Sequence, residues 1–194
     1  MKKNIFGLFL SLGLISSSFA GECDIKKLDP LFNLMAKRNT LMVGVASYKF
    51  TQKEIVYDPA REIAVLKNTE KLANTNKLNS SDLMLFAQMQ MDQAKLIQAN
   101  YLQKWKDNPS NLPDPAITPG IDSLRTQINH IDEQIYANVI TNLPTIQICS
   151  QPIMLKHLNN AYTSSSELKT MATVATDYNR LVISALSNIS PAGQ

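Results

Sequence analysis

Residues 38–62 read RNTLMVGVASYKFTQKEIVYDPARE, and this stretch decides how the whole chain is read. It sets Arg38, Lys49 and Arg61 into a largely apolar context. Arg38 and Lys49 lie eleven residues apart. Three helical turns take about 10.8 residues, so on a helix both stand on one face to within about 20°, roughly 16 Å apart along the axis. Two explanations remain open at this point. Long basic side chains often lie along apolar surface with their heads in water. Alternatively, the two converge on an anion. Asp58-Pro59 reads as the cap and first turn of a following helix. Arg61 would then sit at a positive helix end that favours anions, or simply pair with Asp58 and Glu62.

Outward from this stretch the chain reads as all-α, a single-domain helical bundle. A first helix is expected from about Asp24 or Pro30 to Phe50, with Leu28, Leu31, Leu34, Met35, Leu41, Met42, Val45 and Ala46 forming an apolar stripe. The second runs from Pro59 through Leu66 and towards Leu72. A polar connection follows, with Ser80 or Ser81 as the next cap, and a third helix from about Asp82 to Lys106 carries Leu83, Phe86, Met89, Ala94, Ile97, Tyr101 and Trp105. The link DNPSNLPDPAITPG reads as a rigid surface loop. A fourth helix is expected from near Pro119 until Leu143-Pro144 ends it, then a mixed segment with one or two short helices. Ser165 or Ser166 caps a last helix through Leu186, where Arg180 reads as a surface charge. The final NISPAGQ is expected to fray.

The first twenty residues, MKKNIFGLFLSLGLISSSFA, have two lysines, an apolar run and a small-residue end, the pattern of a signal peptide cleaved after Ala20. Residues 21–194 then form the working domain, in the periplasm or secreted. Glu22 just before Cys23 argues against a lipoprotein. Without Lys2 and Lys3 there remain 17 basic and 16 acidic residues, a net charge of +1. No basic block is present and aromatics are not interleaved with cations, so nucleic acid is excluded as a partner, and no later segment is apolar enough to span a membrane. Export favours a disulfide between Cys23 and Cys149; the alternative is two free thiols. With His130 and His157 these cysteines show no metal-ligand spacing.

The third helix carries a second polar signal. FAQMQMDQAKLIQ holds Gln88, Gln90, Gln93 and Gln98. Gln90, Ala94 and Gln98 recur at four-residue steps and so share a face. Buried glutamine is costly without a partner. These residues therefore either line a polar cavity or face solvent.

Three blocks together resemble the all-helical chorismate mutases. They are Arg38-x2-Leu41-Met42-x2-Val45-Ala46-x-Tyr48-Lys49, then Ile55-x2-Asp58-x2-Arg61-Glu62-x2-Val65-Leu66, then Gln90-x3-Ala94-Lys95-x-Ile97-Gln98. Trp105 and the helix start Ile121-Asp122-x-Leu124 extend the match. The leader and the long C-terminal region are similar to the secreted, periplasmic subclass. The resemblance implies rearrangement of chorismate to prephenate without cofactor or metal, in a site built within one chain, often in a homodimer. It implies Arg38 on the substrate's side-chain carboxylate, Lys49 and Gln98 on its ether oxygen, and Arg61 in support. Asp58 and Glu62 are then the polar residues that meet the hydroxyl or hold the arginines, Glu62 being favoured for the hydroxyl.

The chain departs from the pattern in three places. Ala94 stands where a hydroxyl is common, and Val65 where some secreted members place a glutamine. Thr118 stands where an arginine often grips the second carboxylate. Arg125, seven residues on, is the candidate substitute. The competing reading is a non-catalytic periplasmic binding module on the same scaffold, which the Thr118 departure favours. A helical protein without a pocket is the third.

Overall fold

A computed structural model of the chain describes residues 22–114, 118–165, 168 and 172–193. The expected signal peptide, residues 1–20, lies outside them, as does Ser166. The described residues form six α-helices: α1 Asp29–Gln52, α2 Pro59–Thr75, α3 Ser80–Asp107, α4 Ile121–Ile148, α5 Gln151–Thr163 and α6 Ala172–Ser187. Short 3₁₀ turns stand at Ile25–Leu28 and Pro109–Asn111.

Helix α1 is the axis of the fold. It packs against α3, α4 and α5 at once, which explains why its apolar stripe is broad: Leu31, Phe32, Met35, Met42, Val45 and Ala46 are all buried. Helix α2 packs on α3, and α6 closes the bundle against α3 and α5. Gly44 sets how near α4 comes. A Cβ there would lie 3.1 Å from the Leu124 methyl carbons, so the absence of a side chain lets the first turns of α4 settle onto α1.

Caps fix the ends of α1, α2 and α3. Lys53 adopts φ 58° and closes α1, and the Glu54 N–H donates to the Lys49 carbonyl at 2.8 Å. Asp58 caps α2 by accepting the Arg61 N–H at 3.1 Å, with Pro59 in the first turn as expected. The cap of α3 is Asn79, not Ser80 or Ser81; its carboxamide oxygen accepts from Ser81 and Asp82. Asparagine reaches the same donors as serine, and the serines fall inside the first turn. Ser165 Oγ accepts the Leu168 N–H at 3.3 Å, the capping geometry expected there.

Two expectations fail for physical reasons. Pro144 does not end α4, which continues to Ile148. Pro144 lies on the exposed face, where water can satisfy the Ile140 carbonyl it leaves without a donor. Beyond it, Ile146 and Cys149 are buried in the core. Burying an isoleucine contributes about 1.5–3 kcal/mol, comparable to the roughly 3 kcal/mol that an internal proline costs. The mixed segment is therefore the last turn of α4 followed by one helix, α5. The described C-terminal residues, 188–193, also do not fray. Ile189 is 1% exposed, Asn79 N–H donates to the Ser190 carbonyl, and Ala192 N–H donates to the Lys77 carbonyl, both at 2.8 Å. This strap pairs Leu78 with Pro191 beside the α2–α3 turn.

Cys23 and Cys149 form a disulfide. It ties the segment before α1 to the end of α4, across 126 residues of sequence. A loop of that length restricts the unfolded chain strongly. Replacing both cysteines by serine is expected to lower unfolding stability by about 2–5 kcal/mol, read from urea denaturation, with the helical circular dichroism of the folded state kept. An unchanged midpoint would show that the cross-link constrains little.

Candidate active site

The two α1 cations of residues 38–62 are buried, which answers the question the sequence left open, while Arg61 is half-buried. Arg38 and Lys49 are each only 6% exposed. They do not snorkel; both line a cavity of about 110 Å³ enclosed by α1, α2, α3 and α4. From α1 come Arg38, Met42, Val45 and Lys49. The α1–α2 connection adds Glu54, Val56 and Asp58, and α2 adds Arg61, Glu62 and Val65. Helix α3 supplies Met91, Ala94, Lys95 and Gln98, and α4 supplies Ile121, Arg125, Ile128 and Asp132. A cleft of about 350 Å³ adjoins it and shares Lys49, Glu54, Asp58 and Arg125 with it.

Four glutamines of α3 stand in four different environments. Gln98 lines the cavity. Its amide nitrogen lies 3.6 Å from Met42 Sδ, and its buried Oε1 has no partner. Gln93 is buried in a polar network behind the site. It accepts from Asn39 at 2.9 Å and Tyr162 at 2.8 Å, and donates to Asn179 at 2.6 Å. Gln88 faces outward and donates to Asp92. Gln90 is buried but lines no part of the cavity. A shared sequence face did not put Gln90 with Gln98, because α3 has neighbours on several sides and the cavity occupies only part of its length.

Each deep cation has a defined tether. Arg38 Nε donates to Asp132 Oδ1 at 2.6 Å, while the buried Arg38 Nη1 has no partner. Burial pulls the guanidinium pKa down, and the Asp132 carboxylate more than reverses this, leaving it above its usual value. Arg38 therefore keeps its charge and holds an unspent N–H donor. Lys49 Nζ donates to the Val56 carbonyl. Its pKa is lowered, first by burial and also by Arg125, with Asp58, Glu54 and Glu62 opposing. Lys95 bridges Glu62 at 3.0 Å and Asp92 at 2.8 Å. Arg61 donates through Nη2 to Asn129.

The structure brings together Arg38, Lys49, Asp58, Arg61, Glu62, Ala94, Gln98 and Arg125. Thr118 is not among the cavity residues; its hydroxyl and N–H both donate to the Asp114 carbonyl, at 2.9 and 3.2 Å. Sequence reading missed Asp132 and Lys95. Asp132 stands eleven residues after Ile121, the same three-turn interval that relates Arg38 to Lys49, and that interval was the signal available to find it. Arg180 is exposed, as expected.

Residues 25–99 match the family model for chorismate mutase type II. The matched segment carries the α1, α2 and α3 walls of the cavity and stops before the α4 wall. Three solved structures resemble this one. The secreted chorismate mutase from Yersinia pestis is 20% identical with TM-score 0.68, covering 88% of this chain and 99% of that one. A chorismate mutase from Burkholderia phymatum is 20% identical with TM-score 0.71, covering 84% and 98%. Another from Burkholderia thailandensis is 22% identical with TM-score 0.67, covering 79% and 99%. At these identities the likeness establishes the all-helical chorismate mutase fold. It extends over most of the chain, well past the segment that the family model matches.

Asp132 and Arg38 are 18% and 7% exposed at the side chain, so removing one partner strands a buried charge. Asp132→Ala is expected to destabilise the fold by about 3–5 kcal/mol. Asp132→Asn should cost less, because an amide oxygen still accepts from Arg38 Nε. Equal stability of the alanine variant and the unaltered chain in denaturant titration would refute this coupling.

Proposed function

We propose that the chain catalyses the rearrangement of chorismate to prephenate, acting as a single domain, residues 21–194, exported by the leader at residues 1–20. The observation that carries this is the buried, unpaired donor of Arg38 and the buried ammonium of Lys49 in one cavity with Gln98.

The substrate has two carboxylates and an ether oxygen. The reaction is intramolecular: one C–O bond breaks, one C–C bond forms, and every atom is retained. No proton leaves, so the site needs neither a base nor a nucleophile. The first requirement is a compact chair-like conformer, which is a matter of positioning. Arg38 Nη1 binds the side-chain carboxylate, with its guanidinium held in place by Asp132. The second requirement is charge. As the C–O bond lengthens, negative charge grows on the ether oxygen. Lys49 meets it in a partly desolvated cavity, where a fixed cation helps the transition state more than the ground state. Rotation of the Gln98 amide presents its NH₂ to the same oxygen from α3. Glu62, tethered by Lys95, accepts from the substrate hydroxyl. Arg61 raises the positive potential at the start of α2.

The non-catalytic reading drew its support from Thr118. Arg125 in the cavity weakens that support, since α4 does present a cation there. The secreted subclass also suggests a homodimer, a matter for size-exclusion chromatography with light scattering.

Lys49→Ala should reduce kcat by roughly 10²–10³-fold, the scale for losing one preorganised donor, with helical content unchanged. A folded, unaltered chain that forms no prephenate above background would rule the proposed activity out. The pH dependence follows from the direction of the Lys49 shift. The reaction needs the ammonium, so kcat/KM falls as pH rises through the free-enzyme pKa, at a limb below 10.5. Bound dianion stabilises the ammonium, so the limb in kcat should move upward. A kcat/KM profile flat to pH 10.5 would contradict the assignment.

A further inference from the structure

Resting on that reaction, the geometry points to Arg125 as the residue that grips the second, ring carboxylate of the substrate, after exchanging it for the carboxylate of Asp58.

Four observations converge. First, Ile121, Arg125, Ile128 and Asp132 all line the cavity, so one face of α4 forms its wall. Arg125 and Asp132 are seven residues apart, about 10 Å along that wall. Asp132 fixes Arg38 at one end, and Arg125 is the cation that α4 itself presents towards the other.

Second, Arg125 lines both the cavity and the adjoining cleft, as Lys49 does. Lys49 is close enough to feel its charge. A ligand carboxylate on Arg125 would therefore lie near the ammonium that meets the reacting oxygen.

Third, the pair Arg125 makes is easily exchanged. Its Nη2 lies 3.1 Å from Asp58 Oδ2, with the two side chains 42% and 34% exposed. Solvent-exposed pairs of this kind contribute little. Asp58 does not move away when released, because its other oxygen caps α2 through the Arg61 N–H. A substrate carboxylate thus replaces one weak partner without disturbing the helix.

Fourth, Thr118, which stands where the resemblance places an arginine, bonds to the Asp114 carbonyl and is not among the cavity residues.

The test compares chorismate with its ring-carboxylate methyl ester, using the unaltered chain and the Arg125→Ala, Arg125→Lys and Asp58→Asn variants. Arg125→Ala should lower kcat/KM for chorismate by roughly 30-fold or more, the scale for stranding one charge of a pair. For the ester, which lacks that charge, the same substitution should change kcat/KM by less than about threefold. Arg125→Lys, which keeps the charge, should recover part of the loss even if the alanine variant folds poorly. Asp58→Asn keeps a capping oxygen and removes the competing carboxylate, so KM for chorismate should fall. Equal losses on acid and ester, no loss at all, or a higher KM for Asp58→Asn would overturn the assignment while the enzyme itself remained active. An inactive unaltered chain would instead remove the reaction on which the assignment rests.

Discussion

Two cations on one helix face have been taken out of water, and the rest of the structure answers that constraint. A charge moved into the interior of a protein loses several kcal/mol of hydration unless partners replace it. Arg38 is compensated by Asp132, reached across the bundle from α4. Lys49 is compensated by the Val56 carbonyl, which the left-handed turn at Lys53 swings back over the end of α1. Neither compensation is complete. Arg38 keeps an N–H without a partner, and the Lys49 pKa remains depressed. A purely structural pair would be expected to close those deficits.

The cavity as a whole is close to electrically balanced. Arg38, Lys49, Arg61, Lys95 and Arg125 face Glu54, Asp58, Glu62 and Asp132. The near-balance lets five cations share one small space without unfolding it by repulsion. It also divides the pairs by function. Asp132 is buried and holds its arginine rigidly, whereas Asp58 is half-exposed and holds its arginine loosely. Rigid placement suits the role proposed for the deep group, orienting the substrate, and a loose pair suits a group whose partner is to be exchanged. Behind this, the network of Asn39, Gln93, Tyr162 and Asn179 locks α1 to α3, α5 and α6, so Arg38 rises from a fixed base.

Much of this was legible in the sequence, for reasons that can be named. The helices of an amphipathic bundle announce themselves by periodicity, and Asp58-Pro59 marked the start of α2 through local chemistry alone. Arg38, Lys49 and Gln98 could be placed on one cavity because spacing within a helix, together with a motif spread over three helices, restricts where side chains point. The failures came where tertiary packing overrode local signals. Pro144 is a helix breaker in isolation, but burial of Ile146 and Cys149 beyond it carries the helix through. The final residues lack any periodicity, yet Ile189 finds the core and the backbone finds Lys77 and Asn79. Gln90 shares a helical stripe with Gln98 and is buried outside the cavity lining. Asp132 could not be paired with Arg38 from sequence, since 94 residues separate them and only the approach of α4 at Gly44 brings them together. The same approach brings Arg125 to the cavity, which linear spacing had offered only as a candidate.

The central claim is that α1 and α4 hold a small diacid between them, with one ammonium on the oxygen of the breaking bond. A crystal structure with a bicyclic dicarboxylate that mimics the compact transition state tests this most directly. The expected complex has one carboxylate on Arg38, the other on Arg125, and the ether oxygen between Lys49 Nζ and the Gln98 amide. An analogue bound with Lys49 turned to bulk water, or seated outside the cavity altogether, would contradict it.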